Sequence, residues 1–218
     1  MKSALFLAIA FILGLGSTVK AATINVTAAT ADGACIPGGD PCSDFDGSTC
    51  SLQDALNIAE CNGEDDIINV AAGTYDADAA GSFTYTAITG ENFDLSVIGV
   101  EPTTILDGGD ADQCLEIDAN FVDPDDEVAI LVDGITFQNG FFSGPGGGAS
   151  ILTEDGDVTV QNCEFLQNNS QLETGGGLNV VSDTGSIVVD RNNFIGNSTE
   201  DSGFAESGGG ASLDTNSG

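Results

Sequence analysis

The residues able to do chemistry are supplied very unevenly. Among 218 residues there are 35 acids, six cysteines, three basic residues and no histidine. Three groups of acids stand out. Asp107, Asp110 and Asp112 curl around Gly108 and Gly109, while Asp123, Asp125, Asp126 and Glu127 form a second group and Glu154, Asp155 and Asp157 a third. Carboxylates on short loops are ligands for hard divalent cations, above all calcium, which takes six to eight oxygens. Asp107, Asp110 and Asp112 are therefore the candidate calcium ligands. None of the three groups follows the EF-hand loop or the nonapeptide calcium repeat. The lack of histidine removes histidine-based acid–base catalysis, and with no CxxC pair it also argues against zinc. Arg191 adjoins Asp190 on a strand-like stretch and is expected to form a surface ion pair. No set of catalytic residues emerges, and calcium is the one cofactor the residues suggest.

The opening residues set the compartment. Lys2 precedes an apolar run from Ala4 to Gly16, followed by Val19-Lys20-Ala21. That pattern reads as a secretory signal peptide over residues 1–21, too short in its apolar part to span a bilayer. Removing it takes away both lysines and leaves Arg191 against 35 acids, a formal charge of 1 − 35 = −34. A surface of that sign repels nucleic acid and anionic membranes. No further stretch suits membrane insertion of the mature chain.

Six cysteines in an exported chain favour disulfides. Cys35, Cys42, Cys50 and Cys61 cluster near the start, and their three pairings stay open. Cys114 and Cys163 sit on separate apolar segments and read as buried thiols.

Residues 22–65 form a cysteine-rich segment with one helical signal. Ser51 caps a stripe of Leu52, Ala55, Leu56 and Ala59 at helical spacing, and the stop falls near Cys61-Asn62-Gly63. From residue 66 short β-branched stretches take over, around Ile67–Val70, Phe93–Ile98 and Thr103–Leu106, bounded by Gly, Asp or Pro. Beyond about residue 128 a three-part repeat appears. Strand-like stretches run into Phe137, Phe165 and Phe194; Asn139, Asn168 and Asn197 follow; and glycine triplets begin at Gly146, Gly175 and Gly208, each leading into an alternating strand. The asparagines are spaced 29 and 29, the triplets 29 and 33. One such unit cannot bury its own apolar side chains, but stacked units bury them in a column. The expected fold is all-β: a right-handed parallel β-helix over residues 66–218 with a short N-terminal helix as cap. The phenylalanines should stack in its core and the three asparagines at a turn, where an amide can bond coil to coil and the left-handed backbone is tolerated. The triplets are not phosphate loops, since strands follow them and no Lys is present. Asn25, Asn168 and Asn197 head N-glycosylation sequons, the latter two already with a structural use.

Cys50-Ser51-Leu52-Gln53-Asp54-Ala55-Leu56 resembles the CSLREA motif near the start of many exported β-helix proteins, with Gln for Arg and Asp for Glu. Asp65–Tyr75, Leu95–Gly99 and Thr104–Gly109 resemble the strands that follow it in that family. Phe165-Leu166-Gln167-Asn168 and Phe194-Ile195-Gly196-Asn197 resemble the repeats of polymorphic outer-membrane proteins and related pectate-lyase-like β-helices, whereas Phe137-Gln138-Asn139 is one residue short. The resemblance implies a secreted, extracellular or cell-surface module that adheres, binds or builds, with an extracellular polysaccharide or a surface protein as partner. The alternative it implies is a polysaccharide lyase or glycoside hydrolase. Enzymes of this fold use acids with an Arg base or trios of Asp, and the repeats here show no such set. The third glycine triplet lies close to Gly218 with no capping element after it, so a longer natural product is expected.

Overall fold

A computed structural model describes residues 21–28, 34–36, 38–77, 81–88, 92–120, 128–171, 174–199 and 209–215. Residues 1–20, all but the last of the expected signal peptide, and the acidic group at 123–127 lie outside the described residues.

Strand β1 (Ala22–Val26) and helix α1 (Leu52–Ala59) come first. Then the chain winds. One coil holds β2 (Asp66–Val70), β3 (Gly73–Asp76) and β4 (Phe83–Thr86), and the next holds β5 (Leu95–Ile98), β6 (Thr104–Asp107) and β7 (Leu115–Ala119). The following coil adds a fourth short strand: β8 (Ile130–Asp133), β9 (Thr136–Gln138), β10 (Phe141–Phe142) and β11 (Ala149–Thr153). The plan recurs in β12 (Val158–Gln161), β13 (Glu164–Leu166), β14 (Asn169–Ser170) and β15 (Leu178–Ser182). It recurs again in β16 (Ile187–Asp190), β17 (Asn193–Ile195), β18 (Ser198–Thr199) and β19 (Ala211–Thr215).

Corresponding strands pair in parallel. The first sheet runs β1-β2-β5-β8-β12-β16, the second β3-β6-β9-β13-β17, the third β4-β7-β11-β15-β19, and a small fourth β10-β14-β18. The result is a parallel β-solenoid of about four turns, the expected fold class. Alternation drives it: in β2 every second residue is buried, and Ile24, Ile68, Val97, Val132 and Val160 share one inward register. Each fully buried Ile or Val contributes about 1.5–3 kcal/mol, and only stacking makes that burial complete.

The helix forms where expected. Ser51 Oγ accepts from the Asp54 amide at 3.2 Å, and Leu52, Ala55, Leu56 and Ala59 are buried. Its polar face closes a strand edge. Gln53 accepts from the Thr84 amide at 3.0 Å and donates to the Thr84 carbonyl at 2.9 Å, much as a neighbouring strand would. Glu60 accepts from the Thr86 amide at 2.8 Å. Two side chains thus satisfy the outer edge of β4, the side away from β7, where no described strand pairs. Disulfides Cys35–Cys50 and Cys42–Cys61 hold this end, choosing one of the three open pairings. Cys114 and Cys163 are free and buried, as expected.

The phenylalanine column is as expected. Phe137, Phe165 and Phe194 stack with ring centroids 4.9 and 4.8 Å apart and planes within 9°. The asparagine alignment needs correction. Phe137 to Phe165 is a step of 28 and Phe165 to Phe194 a step of 29. Gly140 therefore takes the level of Asn168 and Asn197, while Asn139 aligns with Gln167 and Gly196. Those last three carry the left-handed corner, with φ of 51°, 56° and 68°. The amide ladder and the left-handed turn are adjacent positions, not one. Asn168 is fully buried: its Oδ1 accepts from the Gly140 amide at 2.8 Å, and its Nδ2 donates to the Phe137 carbonyl and to Asn197 Oδ1, each at 3.0 Å. The glycine triplets mark a true requirement. Gly146 has φ of 75°, and a Cβ on Gly147 would lie 2.3 Å from the Asn169 carbonyl oxygen.

Candidate functional site

The chemistry-bearing side chains can now be placed. Asp107 ends β6 and faces outward, but its carboxylate is occupied. It accepts from Gln138, from Asn139 Nδ2 at 3.1 Å and from the Gly109 amide at 3.0 Å. Partial burial pushes its acidity down, yet these donors, Gln138 foremost, outweigh burial and hold the pKa below the ordinary value. Asp110 is exposed, with φ of 59° and its amide on the Asn139 carbonyl. Asp112 is half-buried, and its carbonyl accepts from the Phe141 amide. Among the described residues no group of three or more Asp, Glu or Cys side chains is arranged to hold a metal ion.

The third acidic group lies on the turn from β11 to β12. Asp155 accepts from Thr184, and Asp157 accepts from the Ser186 amide at 2.7 Å. Both donors belong to the next coil. The arrangement is general. Asp133 accepts from Gln161 and Asn162 at 3.0 and 2.7 Å, Glu164 from Asn193 at 3.2 Å, Asp65 from the Asp94 amide at 3.2 Å, and Asp94 from the Ala129 amide at 2.9 Å. These carboxylates join one coil to the next. With neutral donors as partners, each such bond is worth roughly 1 kcal/mol or somewhat more. An acid so engaged is a poor proton shuttle.

Arg191 meets Asp190 at 3.4 Å, with side chains 63% and 54% exposed, and its Nε also donates to Asn162 at 2.9 Å. The ion pair is on the surface, as expected from the sequence. Burial pushes the Cys114 and Cys163 thiols up to about 12, so neither is a nucleophile near neutral pH.

One concave feature was not foreseen. A groove of 330 Å³ lies along three successive levels of the first sheet and the corner beyond it. Asn25 to Thr27, Asn69 to Ala71, and Ile98 to Val100 supply the levels, and Thr49 closes one side. The first wall exists because Cys50 bridges to Val26 and the Cys35–Cys50 disulfide fixes it there. Asn69 Nδ2 reaches Asn25 Oδ1 at 3.4 Å, the long limit for a hydrogen bond. A signal for this was present. Ile24-Asn25-Val26 and Ile68-Asn69-Val70 are the same tripeptide and pair residue for residue, but 44 positions and the cysteine-rich insert separate them.

Comparisons with protein-family models, with curated proteins and with solved structures find no match to the chain. Among the described residues no helix is long and apolar enough to cross a membrane, and the two disulfides fit a secreted protein.

Proposed function

We propose that the chain is an exported module of the cell surface or extracellular space that binds or builds rather than catalyses, of the CSLREA-type β-helix class its N-terminal segment resembles. The observation carrying this is the use made of its acids. Asp65, Asp94, Asp107, Asp133, Asp155, Asp157 and Glu164 each accept hydrogen bonds from the adjoining coil. Their role accounts for them without a reaction. Two disulfides near the N-terminal end suit an oxidising compartment. A polysaccharide or a surface protein is the partner such a lateral face would meet. The test is antibody labelling of intact cells and culture supernatant, beside an assay for unsaturated or reducing-end products from acidic and neutral polysaccharides. External label with no product supports the proposal. Product formation that depends on Arg191 or on an aspartate would replace it with an enzyme.

A further inference from the structure

We propose that the groove across the first three levels binds a neutral oligosaccharide lying along the solenoid axis; this rests on the extracellular reading above and deepens it. Four observations converge. First, among the described residues no charged side chain lines the groove, although the chain has 35 acids. An anionic ligand meets a repelling field, and a cation finds its partners elsewhere on the surface. Second, the amide pair offers unused capacity. Asn69 Nδ2 and Asn25 Oδ1 face each other, while Asn25 Nδ2 and Asn69 Oδ1 make no hydrogen bond among the described residues. A free donor beside a free acceptor is the combination that reads sugar hydroxyls.

Third, the floor beside these amides is apolar. Val70, Ala71, Ile98 and Val100 line it, and Val100 is 53% exposed. Most small-molecule sites are of this composition, mainly apolar with a few placed polar groups, and 330 Å³ lies at the lower end of their usual range of about 300–1,000 Å³. A sugar ring presents C–H groups to such a floor and hydroxyls to the amides. Fourth, the walls are held in place. Cys50 donates its amide to the Asn25 carbonyl at 2.9 Å, and the Thr27 amide bonds back to Cys50. A Cβ on Gly99 would lie 2.5 Å from the Gly134 carbonyl oxygen, so that corner keeps its shallow profile. Successive levels stand about 4.8 Å apart, so a chain of sugars along the axis would meet equivalent positions in turn.

The experiment is calorimetric titration of the full exported chain with neutral cello-, xylo-, malto- and chito-oligosaccharides, with oligogalacturonate as the anionic counterpart. At least one neutral series should bind, oligogalacturonate should bind more weakly or not at all, and Asn69→Ala and Val100→Asp should each weaken binding tenfold or more. Both positions are solvent-accessible, and unchanged circular dichroism would show that the variants fold. The proposal fails if no neutral series binds at millimolar concentration, if oligogalacturonate binds best, or if neither substitution changes the affinity. Negative titrations with intact surface labelling sink the groove alone. Loss of the surface location sinks the broader proposal and leaves the calorimetry as it is.

Discussion

The coils before and after residue 128 reach the same cross-section by different means. In the upstream coils each level is individual. The inward register that later holds phenylalanine is Tyr75 and then Leu106. The first corner is crossed by Ala71-Ala72 in one coil and by Gly99 to Thr103 in the next, and no fourth strand forms among the described residues of either coil. Downstream the levels repeat: Phe137, Phe165 and Phe194 stack, Asn168 and Asn197 interlock, and Gly146 and Gly175 turn left-handed alike. Upstream, disulfides and a helix supply what repetition supplies downstream. A solenoid needs matched neighbours at each level, not identical ones. Identity is one way to guarantee the match, and a covalent brace with a side-chain mimic of a strand is another.

The sharpest test compares Phe165→Ala with Leu106→Ala. Both residues are fully buried in one column. Phe165 loses stacking on both faces, so its truncation should cost about 3–5 kcal/mol, against about 2–4 kcal/mol for Leu106. Denaturant midpoints of the two variants measure this, and an equal or reversed order would break the claim that the repeat coils are bound by the ring column. Next comes the brace. Cys42→Ser with Cys61→Ser removes a disulfide spanning 19 residues and should cost about 3 kcal/mol. Limited proteolysis should show the loss at residues 22–65 while the downstream coils stay protected.

Asn168→Ala follows, at about 2–3 kcal/mol, because it orphans the Gly140 amide and the Phe137 carbonyl in a buried setting. Asn139→Ala should cost less in thermal unfolding, since its side chain bonds the partly exposed Asp107. Equal effects would revive the 29-residue alignment that the structure overturns. A smaller effect is a pH dependence upstream. Burial, with the Asp118 charge second, raises the Glu116 pKa above its ordinary 4.5. The protonated form is thus favoured by folding. The stabilising contribution is full below pH 4.5 and is lost as pH rises through the folded value. Glu116→Gln should therefore flatten the pH profile of the melting temperature between neutrality and pH 4.5. Smallest is Arg191→Ala, within about 0.5 kcal/mol because the ion pair is exposed.

What the sequence revealed follows the same division. The phenylalanine column, the recurring glycine triplets with the strands that follow them and the helix with its Ser51 cap were readable, because each is a local pattern or a short period. The asparagine ladder was half readable. A 29-residue spacing matched Asn139 to Asn168, but the strand register between those coils steps by 28, and only the pairing of Phe137 with Phe165 reveals it. Strand β1 went unseen because its twin in β2 lies across the cysteine-rich insert. The groove was hidden for the same reason, since residues from 25 to 100 make its walls. The acidic groups were visible as groups, but their donors sit about 29 positions further on. Nothing within the clusters announces that.

Those carboxylate bonds all point one way. In Asp65 with Asp94, Asp94 with Ala129, Asp133 with Asn162, Asp157 with Ser186 and Glu164 with Asn193, the acceptor is always the earlier residue. The finished molecule therefore has a sense of direction, like a zipper with hooks on one side of each tooth. A chain delivered amino end first lays down a row of waiting acceptors before their donors arrive. Each completed level is then the template on which the next one closes.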